Sequence, residues 1–227
     1  MLQLLVSVAD AAEARAALQG GADVIDAKDP RRGALGPVRP AALVAIRAAV
    51  GRARPVSAAL GDARTERLVA RAARAAAARG AAFVKIGFAG LTSARRARRL
   101  AAAAREAAGA HTGVVLVAYA DFEAAASLAP EALVAVAAET AVAGVLLDTA
   151  CKRAPLFSLT RPEVVGVWIA QAHAGGLRVG LAGSLGGPDF ATACALAADL
   201  VGVRGAACVG GRHGRVALGR VAALRAA

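Results

Sequence analysis

Aromatic side chains are scarce in this chain: Phe, Trp and Tyr together make up 3% of 227 residues. A core without large rings has to be filled by Ala, Val, Leu and Ile, which dominate a hydrophobic fraction of 58%. The same scarcity removes the stacking platforms that hold single-stranded nucleic acid. A formal charge of +12 would otherwise invite that function. The arginines instead spread along stretches such as 64–79 and 95–105, the pattern of solvated helix faces. Part of the excess charge remains available to draw in an anionic substrate. Cysteine is also rare. Cys151, Cys194 and Cys208 form no CxxC pair and have no histidine at ligand spacing, so neither a disulfide frame nor a metal centre is expected. Long apolar runs are missing, because Arg, Asp or Glu interrupts every Ala-rich segment, so no spanning helix is expected. Residues 2–8 are too short, and lack the basic flank, for a signal peptide. A cytoplasmic protein with no membrane contact is the expectation.

What is present is a repeat of short apolar runs and Ala/Arg/Leu-rich segments. Strands are predicted at Leu2–Val8, Ala22–Lys28, Pro55–Leu60, Ala81–Phe88, Gly113–Ala120, Gly144–Ala150, Arg178–Ser184 and Leu200–Ala206. Helical spacing fills the intervals at Ala11–Gln19, Arg39–Val50, Thr65–Arg79, Ser93–Ala108, Glu131–Thr140, Pro162–Ala174 and Pro188–Ala198, with a last helix near Val216–Ala226. Glycine or proline marks most junctions. Eight such units in one domain, residues 1–227, predict a closed (β/α)8 TIM barrel of the α/β class. The rival doubly wound sheet carries a glycine fingerprint after its first strand. Here that turn reads Val8-Ala9-Asp10-Ala11, and no cofactor-binding signature replaces it.

Of 28 Lys and Arg residues only three are lysine: Lys28, Lys85 and Lys152. A chain so biased accepts Arg wherever a positive charge suffices. A retained lysine points to work that a guanidinium cannot do, since only an amine deprotonates, attacks a carbonyl and forms a Schiff base. All three lie at or near the ends of predicted strands, which in a barrel converge on the active-site face. Asp26 and Lys28 are two apart on one strand and so share a face. Asp148, at the end of the sixth strand, is placed to meet Lys28 or Lys85. A carboxylate there would orient a charged amine, whereas neighbouring ammoniums would free one. The loops after strands seven and eight are the usual phosphate cradle of this fold. Gly183, Ser184, Arg204 and Gly205 are the candidates there: small residues for backbone approach, a hydroxyl, and a bidentate charge. The segment Gly210–Arg215 would form a basic rim.

The blocks GGADVIDAKDPRRGALG (20–36), VSAALGD (56–62), FVKIGFAG (83–90), LLDTACK (146–152), GLAGSL (180–185) and VGVRGAACVGG (201–211) span nearly the whole chain in order. Together they resemble the (5-formylfuran-3-yl)methyl phosphate synthase family of methanofuran biosynthesis. The resemblance implies a (β/α)8 lyase without cofactor that joins two glyceraldehyde 3-phosphates, losing one phosphate and water, through an enamine that attacks the second aldehyde molecule. It implies Lys28 as the Schiff-base residue, Lys85 as the proton acceptor, and Asp148 and Lys152 as further active-site groups. The segment Leu185–Asp189 departs from the family pattern in having no basic residue. The expected partners are a phosphorylated triose and further copies of this chain, not nucleic acid. Two other readings stay open: a Schiff-base phosphosugar aldolase, which would release no phosphate, and a basic nucleic-acid-binding barrel, which would be indifferent to loss of the lysines.

Overall fold

Parallel strands need a crossover after each strand, and the Ala/Arg segments supply one every time. The computed structural model describes residues 2–227. In it β1 (Gln3–Val8), β2 (Val24–Ala27), β3 (Val56–Asp62), β4 (Phe83–Gly87), β5 (Gly113–Tyr119), β6 (Gly144–Asp148), β7 (Arg178–Leu181) and β8 (Leu200–Val203) close into a barrel in sequence order. Every pairing is parallel, and β1 seals the ring against β8 with Leu4 opposite Val201 and Val6 opposite Val203. The predicted TIM barrel is therefore what forms. No helix among the described residues is long and apolar enough to cross a membrane.

Around the barrel lie α1 (Ala11–Gln19), α2 (Pro40–Val50), α3 (Glu66–Ala77), α4 (Ala94–Ala108), α5 (Pro130–Glu139), α6 (Leu156–Leu159), α7 (Pro162–Ala174), α8 (Gly187–Ala195) and α9 (Leu218–Ala226). Their starts follow local chemistry. Asp10, Thr65 and Ser93 accept the first free backbone N–H groups of α1, α3 and α4. Proline opens α2, α5 and α7, where its missing N–H costs nothing. The helices pack close because their inner faces are small. On α4, Ala97, Leu100, Ala101, Ala104 and Ala108 are buried while the arginines face outward, and burying Leu100 alone contributes about 2 kcal/mol. Gly20 lets α1 meet α9, since a Cβ there would lie 2.5 Å from Val221 Cβ.

Two features were not foreseen. One turn of helix, α6, follows Pro155, and a small hairpin of β9 (Cys208–Val209) and β10 (Arg215–Val216) fills the loop after β8. Strands seven and eight also end earlier than predicted, at Leu181 and Val203. Positive φ at Gly183 (104°) and Ser184 (57°) turns the chain out of the sheet, and turn bonds from Ala207 N to Arg204 O and from Cys208 N to Gly205 O do the same after β8. The barrel interior follows the period of two. Phe83, Val115, Leu146 and Leu200 line its apolar lower part. Ser7, Asp26, Lys85 and Asp148 form a polar layer above them, toward the C-terminal mouth.

Candidate active site

The polar layer opens into a pocket of ≈ 250 Å³ at the C-terminal ends of the strands. Lys28, Lys85, Asp148, Lys152, Gly183, Ser184, Arg204 and Gly205 all line it, so sequence positions up to 177 residues apart converge as a barrel requires. Asp26 lies just beneath, fully buried. Its carboxylate accepts from Lys85 Nζ at 2.7 Å, from Ser57 Oγ at 2.6 Å and from Ser7 Oγ at 2.9 Å. Burial opposes ionisation of Asp26, but Lys85 and Lys28, with the Lys85 and Ser57 hydrogen bonds, outweigh it and hold the carboxyl below its usual range. Asp148 was expected to meet Lys28 or Lys85. It is instead bonded to Lys152, four residues further along the chain, and to its neighbour's backbone at Thr149 N. Burial raises the Asp148 pKa, and the charges of Lys152 and Lys28 more than reverse that.

Lys85 and Lys152 thus each have a carboxylate. Lys28 has none: among the described residues no carboxylate lies within ion-pair distance of its amine, and no acceptor takes its hydrogens. The side chain is nonetheless 7% exposed. Burial pulls the Lys28 amine from 10.5 down to about 8; Lys85 and Lys152 push the same way, and Asp148 and Asp26 push back. A buried amine that is partly neutral near physiological pH and free of hydrogen bonds is a competent nucleophile.

On the strand-seven and strand-eight side, the backbone N–H groups of Gly183, Ser184, Leu185, Gly205 and Ala206 donate to no acceptor among the described residues. Small residues and free N–H groups make this wall suited to an anion. Arg204 does not fit the role expected for it. A guanidinium has five N–H donors, and all five are taken: Nε by Arg212 O at 3.1 Å, Nη1 by Ser7 O at 3.0 Å and by Glu13, and Nη2 by Glu13 Oε1 at 3.1 Å and Gly214 O at 2.8 Å. With no donor left for a phosphate, Arg204 is a strut of the pocket wall. On this side Arg212 also lines the pocket, with donors to spare: among the described residues its one protein acceptor is Gly33 O at 2.9 Å. Burial lowers its pKa and Asp148 draws it back up.

The β3–β5 side of the mouth is closed. Leu35, from the loop after β2, inserts between Ala59, Tyr119, Leu146 and Ala182. Below it Tyr119 donates to Asp62 at 2.8 Å, and Ala89 N donates to the same oxygen at 2.9 Å. Gly87 makes room for that pair, since a Cβ there would sit 2.3 Å from the Tyr119 hydroxyl. Burial and the adjacent Asp62 raise the Tyr119 pKa, so it remains a donor. Ser7, Ser57, Glu13 and Tyr119 are site residues that the sequence reading above does not name. For the two serines a signal existed: each is a lone hydroxyl in an apolar strand, on the parity that faces the barrel interior.

Comparison with known proteins decides the family. The 4-HFC-P synthase family profile matches residues 4–225. The chain belongs to that family. Among its relatives, the (5-formylfuran-3-yl)methyl phosphate synthase of Methanocaldococcus jannaschii is 34% identical, covering 94% of each chain. The one from Methanopyrus kandleri is 39% identical over 95% of this chain and 93% of its own. Solved structures of lower identity share the fold alone. Phosphoribosyl anthranilate isomerase from Thermus thermophilus superposes with a TM-score of 0.67 at 17% identity, covering 99% of this chain and 97% of its own. Orotidine 5'-phosphate decarboxylase from Pyrococcus horikoshii does so with 0.68 at 16%, over 98% and 97%.

Proposed function

We propose that this family member condenses two molecules of glyceraldehyde 3-phosphate into (5-formylfuran-3-yl)methyl phosphate, as a lyase of methanofuran-type cofactor biosynthesis working through an imine on Lys28. The observation that carries the reading is the bare, buried Lys28 amine in a pocket that also holds two paired lysines and a wall of free N–H groups.

The product skeleton sets which carbons join. Lys28 attacks the aldehyde of one triose and expels water, leaving an iminium. Lys85 then takes the proton from C2 and leaves an enamine. The second triose loses its C2 proton and its phosphate, becoming an unsaturated aldehyde. The enamine C2 then bonds to the carbon the phosphate has left. The C2 hydroxyl of the second triose closes the ring on the iminium carbon. Loss of one water, and departure of the Lys28 amine together with a ring proton, make the ring aromatic. One furan, one inorganic phosphate and two waters account for every atom. Asp26, ion-paired with Lys85, holds it between proton transfers, and the ion-paired Lys152 and Asp148 serve the hydroxyl and phosphate departures.

Incubation with glyceraldehyde 3-phosphate, following furan absorbance and inorganic phosphate together, tests the reading. The two signals should rise in equal amounts. Reversible aldol chemistry with no phosphate release would assign the site to a Schiff-base aldolase instead.

A further inference from the structure

We propose that Arg212 is the residue by which this pocket selects a phosphorylated over an unphosphorylated aldehyde, and that the buried Glu13–Arg204 pair is the positioning unit that sets it there. The inference rests on reading the pocket as a triose-phosphate site.

The chain goes to some length to bring Arg212 to the mouth. It sits at the tip of the β9–β10 hairpin, which Gly210 and Gly211 turn with φ of 82° and 70°. The next turn tolerates only glycine, because a Cβ on Gly214 would lie 1.8 Å from Val209 O. Arg204 grips this tip from inside. Two of its N–H groups donate to the carbonyls of Arg212 and Gly214, on either side of the bend. The other three are fixed to Glu13 of α1 and to Ser7 O of β1. Both charged side chains of that pair are nearly inaccessible, at 4% and 2% exposure. A loop tip rich in glycine would otherwise be mobile. Here it hangs from a buried ion pair with every guanidinium donor used.

Arg212 itself is differently provided. No carboxylate among the described residues is within ion-pair distance of it, and only one of its hydrogens has a protein acceptor. Its remaining donors border the same pocket as Ser184 and Gly205, whose backbone N–H groups are free. A planar fork of donors in the same pocket as a wall of N–H groups matches the oxygens of a phosphate dianion and gives a neutral hydroxyl much less. The Gly33 bond ties the tip to the loop after β2, the segment that carries Lys28. Phosphate held by Arg212 is therefore registered against the imine-forming amine.

The test is borohydride trapping at Lys28 with glyceraldehyde 3-phosphate and with glyceraldehyde, beside direct titration with inorganic phosphate. Arg212→Ala should slow trapping of the phosphorylated aldehyde, and weaken inorganic phosphate binding, about ten- to a hundredfold. Trapping of glyceraldehyde should be unchanged, and Arg212→Lys should recover part of the loss. Glu13→Gln, which keeps the volume and drops the charge, should show the same selective loss with Arg212 intact; Arg204→Lys is read the same way where Glu13→Gln does not fold. Equal loss for both aldehydes, or no loss for either, would overturn the assignment. If the wild type traps neither aldehyde on Lys28, the function proposed above fails. The phosphate titration then decides this inference by itself: weaker binding by Arg212→Ala upholds it, and unchanged binding refutes it.

Discussion

Around Arg204 every guanidinium N–H has a protein acceptor, whereas in the same pocket the Lys28 amine has none among the described residues. Both cations are buried, at 6% and 7% exposure. Burial of a charge is tolerable when it is paired and fully hydrogen-bonded, and costly otherwise. Arg204 meets that condition, so it adds order to the fold. Lys28 does not, and its depressed pKa records the cost. An arrangement that a stable fold has no use for is a sign of chemistry.

Four substitutions would break or sharpen this contrast. The largest effect is expected at the bare amine. Lys28→Arg keeps a positive charge but cannot form an imine, so furan formation should fall more than about 10⁴-fold while the variant stays folded by circular dichroism. Substantial residual turnover would mean the unpaired amine is not the nucleophile. Next comes Lys85→Arg. Arg stays protonated and can replace Lys85 only as a partner of Asp26, so a loss of about 10²–10⁴-fold in kcat marks a proton acceptor. Retained activity would reduce Lys85 to an ion-pair partner.

The saturated cluster should answer in stability. Glu13→Ala strands the Arg204 charge and should cost about 3–5 kcal/mol in urea unfolding; a loss below about 1 kcal/mol would remove the distinction between the clusters. Lys28→Met should do the opposite. With a folded pKa near 8 against 10.5 unfolded, the native state binds fewer protons than the unfolded one between those values. Wild-type stability should therefore rise with pH across that window. Removing the amine should abolish this slope and stabilise the protein at pH 7 by up to about 3 kcal/mol. Destabilisation, read from the same urea curves, would show that Lys28 is held as well as Arg204 is.

Much of the fold was legible because each strand is an apolar run between glycine or proline breaks. Every predicted strand and helix is present, with ends moved by a few residues. The one-turn α6 and the β9–β10 hairpin were not legible, since neither is long enough to show a period. The lysines stood out by their rarity, and the structure brings all three to one pocket. Their pairing was read less well. Which carboxylate meets which amine depends on side-chain height in the barrel, and spacing along the chain does not encode that. Arg204 illustrates the limit most clearly. Its strand-end position suggested a ligand for phosphate, but Glu13, 191 residues away on α1, claims it. In sequence Glu13 looks like an ordinary first-turn acid of a helix. Arg212 was visible only as part of a basic rim.

The central claim, that Lys28 is a free buried amine put to use as a nucleophile, is tested most directly by the pH dependence of its capture. Borohydride trapping with glyceraldehyde 3-phosphate, read at Lys28 by peptide mass spectrometry, should increase through a midpoint near pH 8, where burial has placed the amine. A midpoint near the ordinary lysine value of 10.5, or an adduct found only on Lys85 or Lys152, would contradict the account.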